Sequence, residues 1–484
     1  MKKEVSMGRI ILLALGQLGC AFQLYTIGMY TLYFYAPTES LNLPLLLPIG
    51  AIGLVQGLSV AFDALIDPWI ANVCDNSKNP KGRRMPFMRL AAIPSGLFCA
   101  LVFFAPVNAV SWINVVWIIV MMCLYCLCRS FYDINLMALI PEIIPDTHKR
   151  TRYFTTTAFI MTPCNMLVSS VTGIVAILAT SVSDLSAWQI SLSVFPLLGV
   201  ILMLLSVAGI NETDYVERVE LDQEKNSVIK SFVATLKNRE FVVFMMGATA
   251  FGLAIGVFNA ALLFMIDMLL ELEATMNMAV YLILTLLTLI LFIPVQQVSK
   301  KLGKRKMLLI SSCVCASIFV LMYFHAPISD LLGTAIIGPD SFWVALAGEG
   351  AKTGNIALLL ILGAMFAYPQ AAGNVVGSSM FADIAQYDNM ISGRNRTGMF
   401  MAVQSVIGVL PGTIVPAIVG FFIYLGSTNQ MPTVVGVRSN MLACMVFIVL
   451  TFLGYFFYNE KKVFEVILPK GEAAAVPEAI EAAE

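Results

Sequence analysis

The residues best suited to chemistry are acidic side chains set inside long apolar segments. Asp63 and Asp67 stand four positions apart in the string AFDALIDPW, so a helix would place both carboxylates on one face. No basic residue lies within a helical turn of them. Two carboxylates this close in a low-dielectric medium repel each other, so either a bound cation compensates them or one is protonated. The pattern predicts a site for Na⁺ or H⁺. A charge pair in a water-filled cavity without an ion role is the simpler alternative.

A third acid, Asp133, follows Arg129 by four residues, a spacing that allows an ion pair within one helix. Two interpretations stay open. In the first, Arg129 and Asp133 neutralise each other and support the fold. In the second, Asp133 turns towards Asp63 and Asp67 as a third ligand, and Ser130 adds an oxygen. The Arg129 guanidinium would then face a cavity, where it suits a carboxylate, sulfonate or phosphate.

The surrounding segments must lie in a lipid bilayer. Of the 484 residues, 59% are hydrophobic and 12% charged, against roughly 25% charged in soluble domains. A bilayer core needs about 20 apolar residues per helix, which predicts twelve membrane spans. Their approximate limits are 9–36, 45–73, 87–107, 111–142, 153–180, 187–210, 240–270, 277–298, 307–326, 353–387, 399–426 and 439–459.

Lys and Arg residues predict the orientation of these spans. The connections after spans 2, 4, 6, 8 and 10 are basic, whereas the intervening loops hold only Lys352 and Arg438. Basic loops stay in the cytoplasm, so we expect both termini there, in a bacterial inner (plasma) membrane. The opening apolar run is too long for a cleavable signal peptide. The predicted parts are a six-helix bundle over 1–210, a polar cytoplasmic linker over 211–239, a second six-helix bundle over 240–460, and a disordered cytoplasmic tail over 461–484.

Two helix ends carry matching charges. Span 4 ends in LIPEIIPDTHKRTRY and span 10 in MFADIAQYDNMISGRNRTGMF, and each has an acid followed by Ile, then Asp, then an Arg-x-Arg pair. Equivalent chemistry in the two halves favours parallel six-helix repeats. We interpret these charges as a cytoplasmic gate that locks helix ends in one conformer, with ordinary positive-inside loops as the alternative. The gating candidates are Glu142, Arg150, Asp383, Asp388, Arg394 and Arg396.

Other polar side chains within the spans are candidates for contact with a small solute. Singly, such groups more often join one helix to another, but as a set they would suit a cavity at the bilayer midplane. Besides Arg129, the set comprises Gln23, Tyr132, Asn135, Tyr368, Asn374 and Gln404.

Three stretches, 62–87, 130–150 and 378–400, resemble the melibiose-permease family, the glycoside–pentoside–hexuronide:cation symporters. The resemblance implies an all-α membrane protein of the major facilitator fold, with twelve transmembrane helices in two pseudo-repeated six-helix bundles. It also implies alternating-access symport of a glycoside, hexuronide or related sugar derivative with Na⁺ or H⁺. The family's cation-binding roles correspond here to Asp63, Asp67, Asp133 and Ser130, with Asp63 and Asp67 as metal ligands if the ion is Na⁺.

Departures from the family pattern bear on the solute. Ala21, Ile66, Met137 and Val409 stand where sugar-transporting members carry other residues, which leaves a lysolipid or another amphipathic or anionic solute as the alternative. No His/Cys cluster, activated nucleophile or phosphate loop is visible, so we expect no enzyme and no cofactor beyond the coupling ion. The expected partners are the solute, the cation and the lipid bilayer. We expect a monomer, and no nucleic-acid partner.

Overall fold

The structure is a computed structural model that describes most of the chain. The described residues are 5–38, 41, 43–48, 51–75, 77, 79–80, 82–144, 153, 156–157, 159–210, 212–214, 235–333, 337–338, 341–348, 350–392, 397–425 and 432–467. Within these ranges every regular element is a helix.

The helices divide between two compact units, which we call unit 1 (residues 1–220 and 419–433) and unit 2 (residues 221–418 and 434–484). Unit 1 contains α1 (Met7–Tyr35), α2 (Ala51–Asp75), α3 (Met85–Leu101), α4 (Trp112–Ile143), α5 (Cys164–Ser169), α6 (Val171–Leu178) and α7 (Asp184–Ala208). Unit 2 contains α8 (Arg239–Phe264), α9 (Met276–Leu302), α10 (Lys304–Tyr323), α11 (His325–Leu332), α12 (Phe342–Ala347), α13 (Thr353–Ala372), α14 (Ser378–Ser392), α16 (Val434–Phe457) and α17 (Glu460–Ile467). The remaining helix, α15 (Thr397–Ile423), contributes residues to both units.

Polar side chains mark where several of these apolar helices begin. The Ser111 hydroxyl accepts the backbone N–H of Ile113 at 3.1 Å before α4, and Ser183 does the same for Ser186 before α7. The Asn238 side chain accepts the backbone N–H of Phe241 at 3.2 Å before α8. Each bond satisfies a backbone donor that has no partner within its own helix, so the start of the helix is set by local sequence.

Nine helical segments of the described residues are long and apolar enough to cross a membrane. One of them joins α13 to α14 through a π-helical turn at Gly373–Gly377, which gives a continuous segment over Thr353–Asp388. Met85–Leu101 and Leu410–Ile423 are apolar but shorter. The fold is thus that of an α-helical membrane protein, while the predicted number of twelve spans stays a prediction.

Glycine contacts hold the first and last long helices of each unit together. A methyl group added at Gly19 of α1 would lie 2.5 Å from the carbonyl oxygen of Gly199 in α7. One added at Gly454 of α16 would lie 2.6 Å from the Cα of Gly247 in α8. Membrane helices associate largely through close packing of small residues. In both units, therefore, close glycine contacts pack the first long helix against the last.

Each unit also ties a helix start to its last long helix through a glutamate. The Glu212 carboxylate, shortly after α7, accepts the backbone N–H groups of Arg83, Arg84 and Met85 at 2.8, 2.9 and 3.0 Å. In unit 2, Glu460 accepts those of Lys304 and Arg305 at 2.8 and 2.9 Å.

A glycine at positive φ precedes both capped segments, Gly82 at 118° and Gly303 at 84°. A carboxylate at a helix N-terminus meets unpaired N–H donors and the positive end of the helix dipole. Each glutamate thereby fixes the entry to α3 or α10.

The chain beyond α16 departs from the sequence-based expectation. A disordered tail is predicted from residue 461, but Glu460–Ile467 forms α17. Val463 of this helix is fully buried, and Glu460 caps α10. These two contacts attach α17 to unit 2. Residues 468–484, and residues 215–234 of the predicted linker, lie outside the described part of the chain.

Candidate functional site

The aspartate pair of α2 points away from the apolar outer face of that helix. Asp63 is 8% exposed and Asp67 is partly buried. On the opposite face, Leu65 and Trp69 are 80% and 54% exposed. In a membrane protein, the large apolar side chains of such a helix face lipid and its acidic side chains face the interior of the bundle.

Arg129 of α4 lies between two carboxylates. Its Nη2 atom is 2.7 Å from Asp63 Oδ2, and its Nη1 atom is 3.5 Å from Asp133 Oδ2. The arginine therefore joins α2 to α4 and also makes the intrahelical pair with Asp133. Of the two interpretations left open by the sequence, the structure favours a paired Arg129, but its shorter contact is to the neighbouring helix.

Two neutral side chains, those of Ser130 and Gln17, also contact these carboxylates. Ser130 Oγ donates a hydrogen bond to Asp63 Oδ1 at 2.9 Å, so both oxygens of Asp63 are engaged. Gln17 Nε2 of α1 donates to Asp133 Oδ1 at 3.3 Å. Three helices of unit 1 thus contribute to one polar network in an otherwise apolar bundle. We call Asp63, Asp67, Arg129, Ser130 and Asp133 the charge cluster.

Asp67 differs from the other two aspartates of the charge cluster. Its Oδ1 atom is buried and accepts no hydrogen bond from any described residue. Its carboxylate nevertheless interacts with the Ser130 hydroxyl, and it is close enough to interact electrostatically with Asp63, Arg129 and Asp133. In their usual ionised forms the cluster's three carboxylates face one guanidinium, which leaves a formal excess of two negative charges. A proton or cation that reaches Asp67 would reduce this excess.

The carboxylates do not surround a common point in this conformation. Among the described residues, no group of three or more His, Cys, Asp or Glu side chains is placed to hold a metal ion. Instead, the guanidinium of Arg129 lies between Asp63 and Asp133. In this structure Arg129 is thus the counter-ion of Asp63, and cation binding by Asp63, Asp67 and Asp133 stays a prediction.

Most of the predicted solute contacts in unit 1 are engaged between helices. Gln23 is fully buried and its Nε2 donates to Ser95 Oγ at 3.2 Å. The Tyr132 hydroxyl donates to the carbonyl of Met203 at 3.1 Å, and Asn135 Nδ2 donates to Cys74 Sγ of α2 at 3.1 Å. In this structure Gln23, Tyr132 and Asn135 therefore join neighbouring helices of unit 1, and their contact with a solute stays a prediction.

The predicted solute contacts of unit 2 fall into two groups. The Tyr368 hydroxyl donates to the carbonyl of Met307 at 3.3 Å, a contact between α13 and α10. Asn374, in the π-helical turn, and Gln404, in α15, are exposed. Their amides therefore remain candidates for hydrogen bonds to a solute.

Of the predicted gating residues, two have described side-chain contacts. Asp383 Oδ2 of α14 lies 2.5 Å from Lys304 Nζ at the start of α10. Asp388 Oδ1 accepts a hydrogen bond from Asn238 Nδ2 at 3.1 Å. Both contacts lie within unit 2 and join α14 to the start of another helix. Arg150, Arg394, Arg396 and the side chain of Glu142 lie outside the described residues.

The partners of several acidic residues could not be predicted from the sequence. The sequence places Lys304 in a basic loop, whereas in the structure it pairs with Asp383 and donates to Ser379 Oγ at 2.7 Å. The capping roles of Glu212 and Glu460 were also missed. Aligning the two halves would have found them, because GRR at 82–84 and GKR at 303–305 are each matched by a glutamate after the last long helix.

Ionisable side chains held between membrane-spanning helices mark ion and substrate pathways, and this fold and cluster define a polytopic membrane transporter. A family model described as MFS/sugar transport protein matches residues 12–460. The chain belongs to this family, and it is a membrane transporter of the major facilitator superfamily. Transporters of this kind are generally not enzymes.

Solved structures share the fold at low sequence identity. A bacterial homologue of the human lysosomal transporter Spinster, inward-facing and unoccupied, has a TM-score of 0.59 and 14% identity, and the match covers 96% of this chain and 100% of that one. A mutant of the nucleoside transporter NupG has a TM-score of 0.58 and 13% identity, with 93% and 99% covered. No curated protein sequence matches the chain.

Proposed function

We propose that the protein is a cation-coupled secondary symporter of a small solute, as in the melibiose-permease-like family. In this proposal the solute is a glycoside, hexuronide or related sugar derivative, and two six-helix halves alternate access to it. The observation that carries the coupling is the contrast inside the charge cluster. Arg129 compensates Asp63, while Asp67 has a buried oxygen without a described hydrogen-bond partner.

Coupling follows from how the cluster's charge changes on binding. A proton on Asp67 removes one of the two excess negative charges and weakens the repulsion between Asp67 and Asp63. The negative charge that holds Arg129 beside Asp63 is then smaller. Arg129 can shift towards Asp133, from which it is 3.5 Å away. Occupancy at Asp67 thereby changes the contact between α2 and α4. A cation that stabilises one arrangement of helices shifts the affinity for a solute that prefers the same arrangement.

The geometry favours H⁺ over Na⁺ as the coupling ion. Sodium requires several oxygen ligands around one point, whereas a proton requires only one carboxylate. Asp67 alone meets the second requirement, and Arg129 holds Asp63 in a salt bridge. Coupling by Na⁺ would need Arg129 to leave Asp63, so that both α2 aspartates face one ion.

The solute class rests on the family and on the placement of the arginine. An anionic or amphipathic solute would need the guanidinium to face it, yet Arg129 is already shared by two carboxylates. A neutral polar solute needs hydrogen-bond donors and acceptors, which the exposed amides of Asn374 and Gln404 supply. We therefore place a sugar-like solute ahead of a lysolipid or other anionic one.

The remaining parts of the proposal follow the distribution of basic residues and the family. Both termini lie in the cytoplasm of a bacterial inner membrane, and the protein works as a monomer. Residues 1–210 and 240–460 are the two halves, joined by the linker 211–239.

The test is uptake into proteoliposomes under imposed ion gradients. A panel of glycosides, hexuronides, nucleosides and lysolipids is assayed with an inward H⁺ gradient, an inward Na⁺ gradient, or neither. We expect accumulation of a sugar derivative driven by H⁺ and lost in Asp67→Asn, while the exposed Asp330→Asn on α11 serves as the matched control. Accumulation that needs Na⁺ alone would overturn the proton assignment. Accumulation retained in Asp67→Asn would overturn the role of the charge cluster.

A further inference from the structure

A cavity of about 300 Å³ opens in unit 2 where α8 and α10 begin and α16 ends. Four basic side chains line it, together with two exposed aromatic rings. We call this site the basic pocket and define it by Arg239, Arg305, Lys306, Lys461, Phe456 and Phe457. Its volume is at the lower end of the range for small-molecule sites, about 300–1,000 Å³. The pocket is separate from the charge cluster, which belongs to unit 1.

Arg305 is held rigidly in the wall of the basic pocket. Its Nη2 donates to the carbonyl of Phe456 at 2.6 Å and its Nε to that of Tyr455 at 3.3 Å. Its guanidinium also lies 5.4 Å from the ring centre of Phe456. These contacts use two of the five donors of a guanidinium and leave its positive charge intact, since carbonyls are neutral. The arginine is therefore preorganised for an anion.

Among the described residues that line the pocket, four side chains are basic and one, that of Glu460, is acidic. Glu460 is already bound to the backbone N–H groups of Lys304 and Arg305. Arg239, whose side chain is 64% exposed, lies 3.4 Å from Glu240, an acid that also contacts Lys462. The predominance of basic side chains in the lining favours an anion, and the capping glutamate prevents the start of α10 from binding one through its backbone.

The aromatic rings indicate what kind of anion fits. Phe456 and Phe457 are 49% and 57% exposed and form the last turn of α16, where this span ends. Exposed apolar rings at the end of a span are placed to contact lipid, and basic pockets between helix ends bind anionic headgroups. A free phosphate ion would use the basic residues but gains nothing from two exposed rings. A phospholipid uses both, with its phosphate at the basic residues and its acyl chains along the rings.

We propose that the basic pocket binds the headgroup phosphate of an anionic phospholipid. The probe is phosphatidylglycerol, compared with zwitterionic phosphatidylcholine, on the full-length protein in nanodiscs that contain both lipids in equal amounts. Native mass spectrometry counts the lipids that remain bound. The test variant is Arg239→Gln/Lys306→Gln. The control, Lys237→Gln/Lys301→Gln, removes the same charge from exposed lysines that do not line the cavity.

We expect the wild type and the control to retain phosphatidylglycerol in preference to phosphatidylcholine. The test variant should bind it more weakly by about fivefold for each basic residue removed. Equal loss in test and control, or no loss in either, would overturn the proposal. If the double variant does not fold, Lys306→Gln against Lys301→Gln makes the same comparison.

Inorganic phosphate in large excess distinguishes the two sources of the anion. We expect it to leave the bound phosphatidylglycerol in place, because it cannot replace the contacts with the aromatic rings. If it displaces the lipid from the wild type, the pocket binds phosphate as such and the lipid assignment is wrong. These measurements do not involve transport, so their outcome is independent of the proposed symport.

Discussion

Arg129 of α4 pairs with Asp63 of α2 at 2.7 Å, more closely than with Asp133 of its own helix at 3.5 Å. The charge cluster is therefore a link between helices as well as a collection of acids. Asp63 is 8% exposed, so removing Arg129 leaves a largely buried carboxylate without its counter-ion. Because one arginine is shared by two carboxylates, a change at one acid alters the pairing of the other.

Arg129→Gln should destabilise the protein by roughly 3 kcal/mol, because Asp63 then keeps a buried charge without its counter-ion. Thermal unfolding of the purified protein in detergent measures the loss. The double variant Asp63→Asn/Arg129→Gln should recover more than half of it, since neither charge remains. Equal unfolding temperatures for the single and double variants would show that the salt bridge does not couple α2 to α4.

Asp63→Asn and Asp67→Asn should both abolish gradient-driven accumulation, but only the first should lower thermal stability. Asp63 is paired with Arg129, whereas Asp67 makes no ion pair with a described residue. Solute exchange without a gradient should persist in Asp67→Asn, because only the coupling step is removed. Stability can be followed by differential scanning fluorimetry and exchange by counterflow. A large loss of stability in Asp67→Asn would mean that this acid has a structural partner.

Gly19→Ala should lower stability by about 1–3 kcal/mol, because the added methyl group meets the backbone of α7 and cannot be accommodated by a side-chain shift. Gly28→Ala, in the same helix, is the matched control, since nothing lies within 4 Å of the new methyl group. It should be neutral or slightly stabilising, as alanine favours a helix by about 1 kcal/mol over glycine. Unfolding temperatures of the two variants provide the comparison. Similar losses in both would argue against the close crossing of α1 and α7.

Glu212→Ala should cost about 2 kcal/mol, because three backbone N–H groups at the start of α3 lose a charged acceptor. Glu460→Ala should behave in the same way at α10. The exposed Glu465→Ala of α17 is the control and should leave the unfolding temperature unchanged. An unchanged unfolding temperature in Glu212→Ala would show that water replaces the carboxylate without cost.

Much of the fold could be predicted from the sequence, because long apolar segments in a membrane have few alternatives to a helix. Their spacing predicts that Asp63 and Asp67 share one face of a helix, and in α2 the opposite face carries the exposed Leu65 and Trp69. Membership of a transporter family was also predictable, from the resemblance of three stretches to a known family. The finer assignment to melibiose-permease-like symporters stays part of the proposal.

The partners of the polar groups were less predictable. Gln23, Tyr132 and Asn135 are the kinds of residue that line a cavity, and equally the kinds that join helices. Their types and spacing cannot distinguish these roles, because both need the same hydrogen-bonding groups. The choice depends on which neighbouring helix lies opposite, and hence on the packing of distant segments.

By itself, the sequence determined that the chain is a helical membrane protein with acids inside its spans, since hydropathy and period depend only on neighbouring residues. Tertiary structure decided that Arg129 reaches across to Asp63, that Asp67 keeps an oxygen without a described hydrogen-bond partner, and that Glu460 caps α10. Arg129 and Ser130 lie 66 and 67 positions from Asp63 along the chain, and Glu460 lies more than 150 positions from Lys304. Such pairs form only when packed helices bring the side chains together. The role of a charged side chain therefore depends on which residue lies next to it in the folded protein.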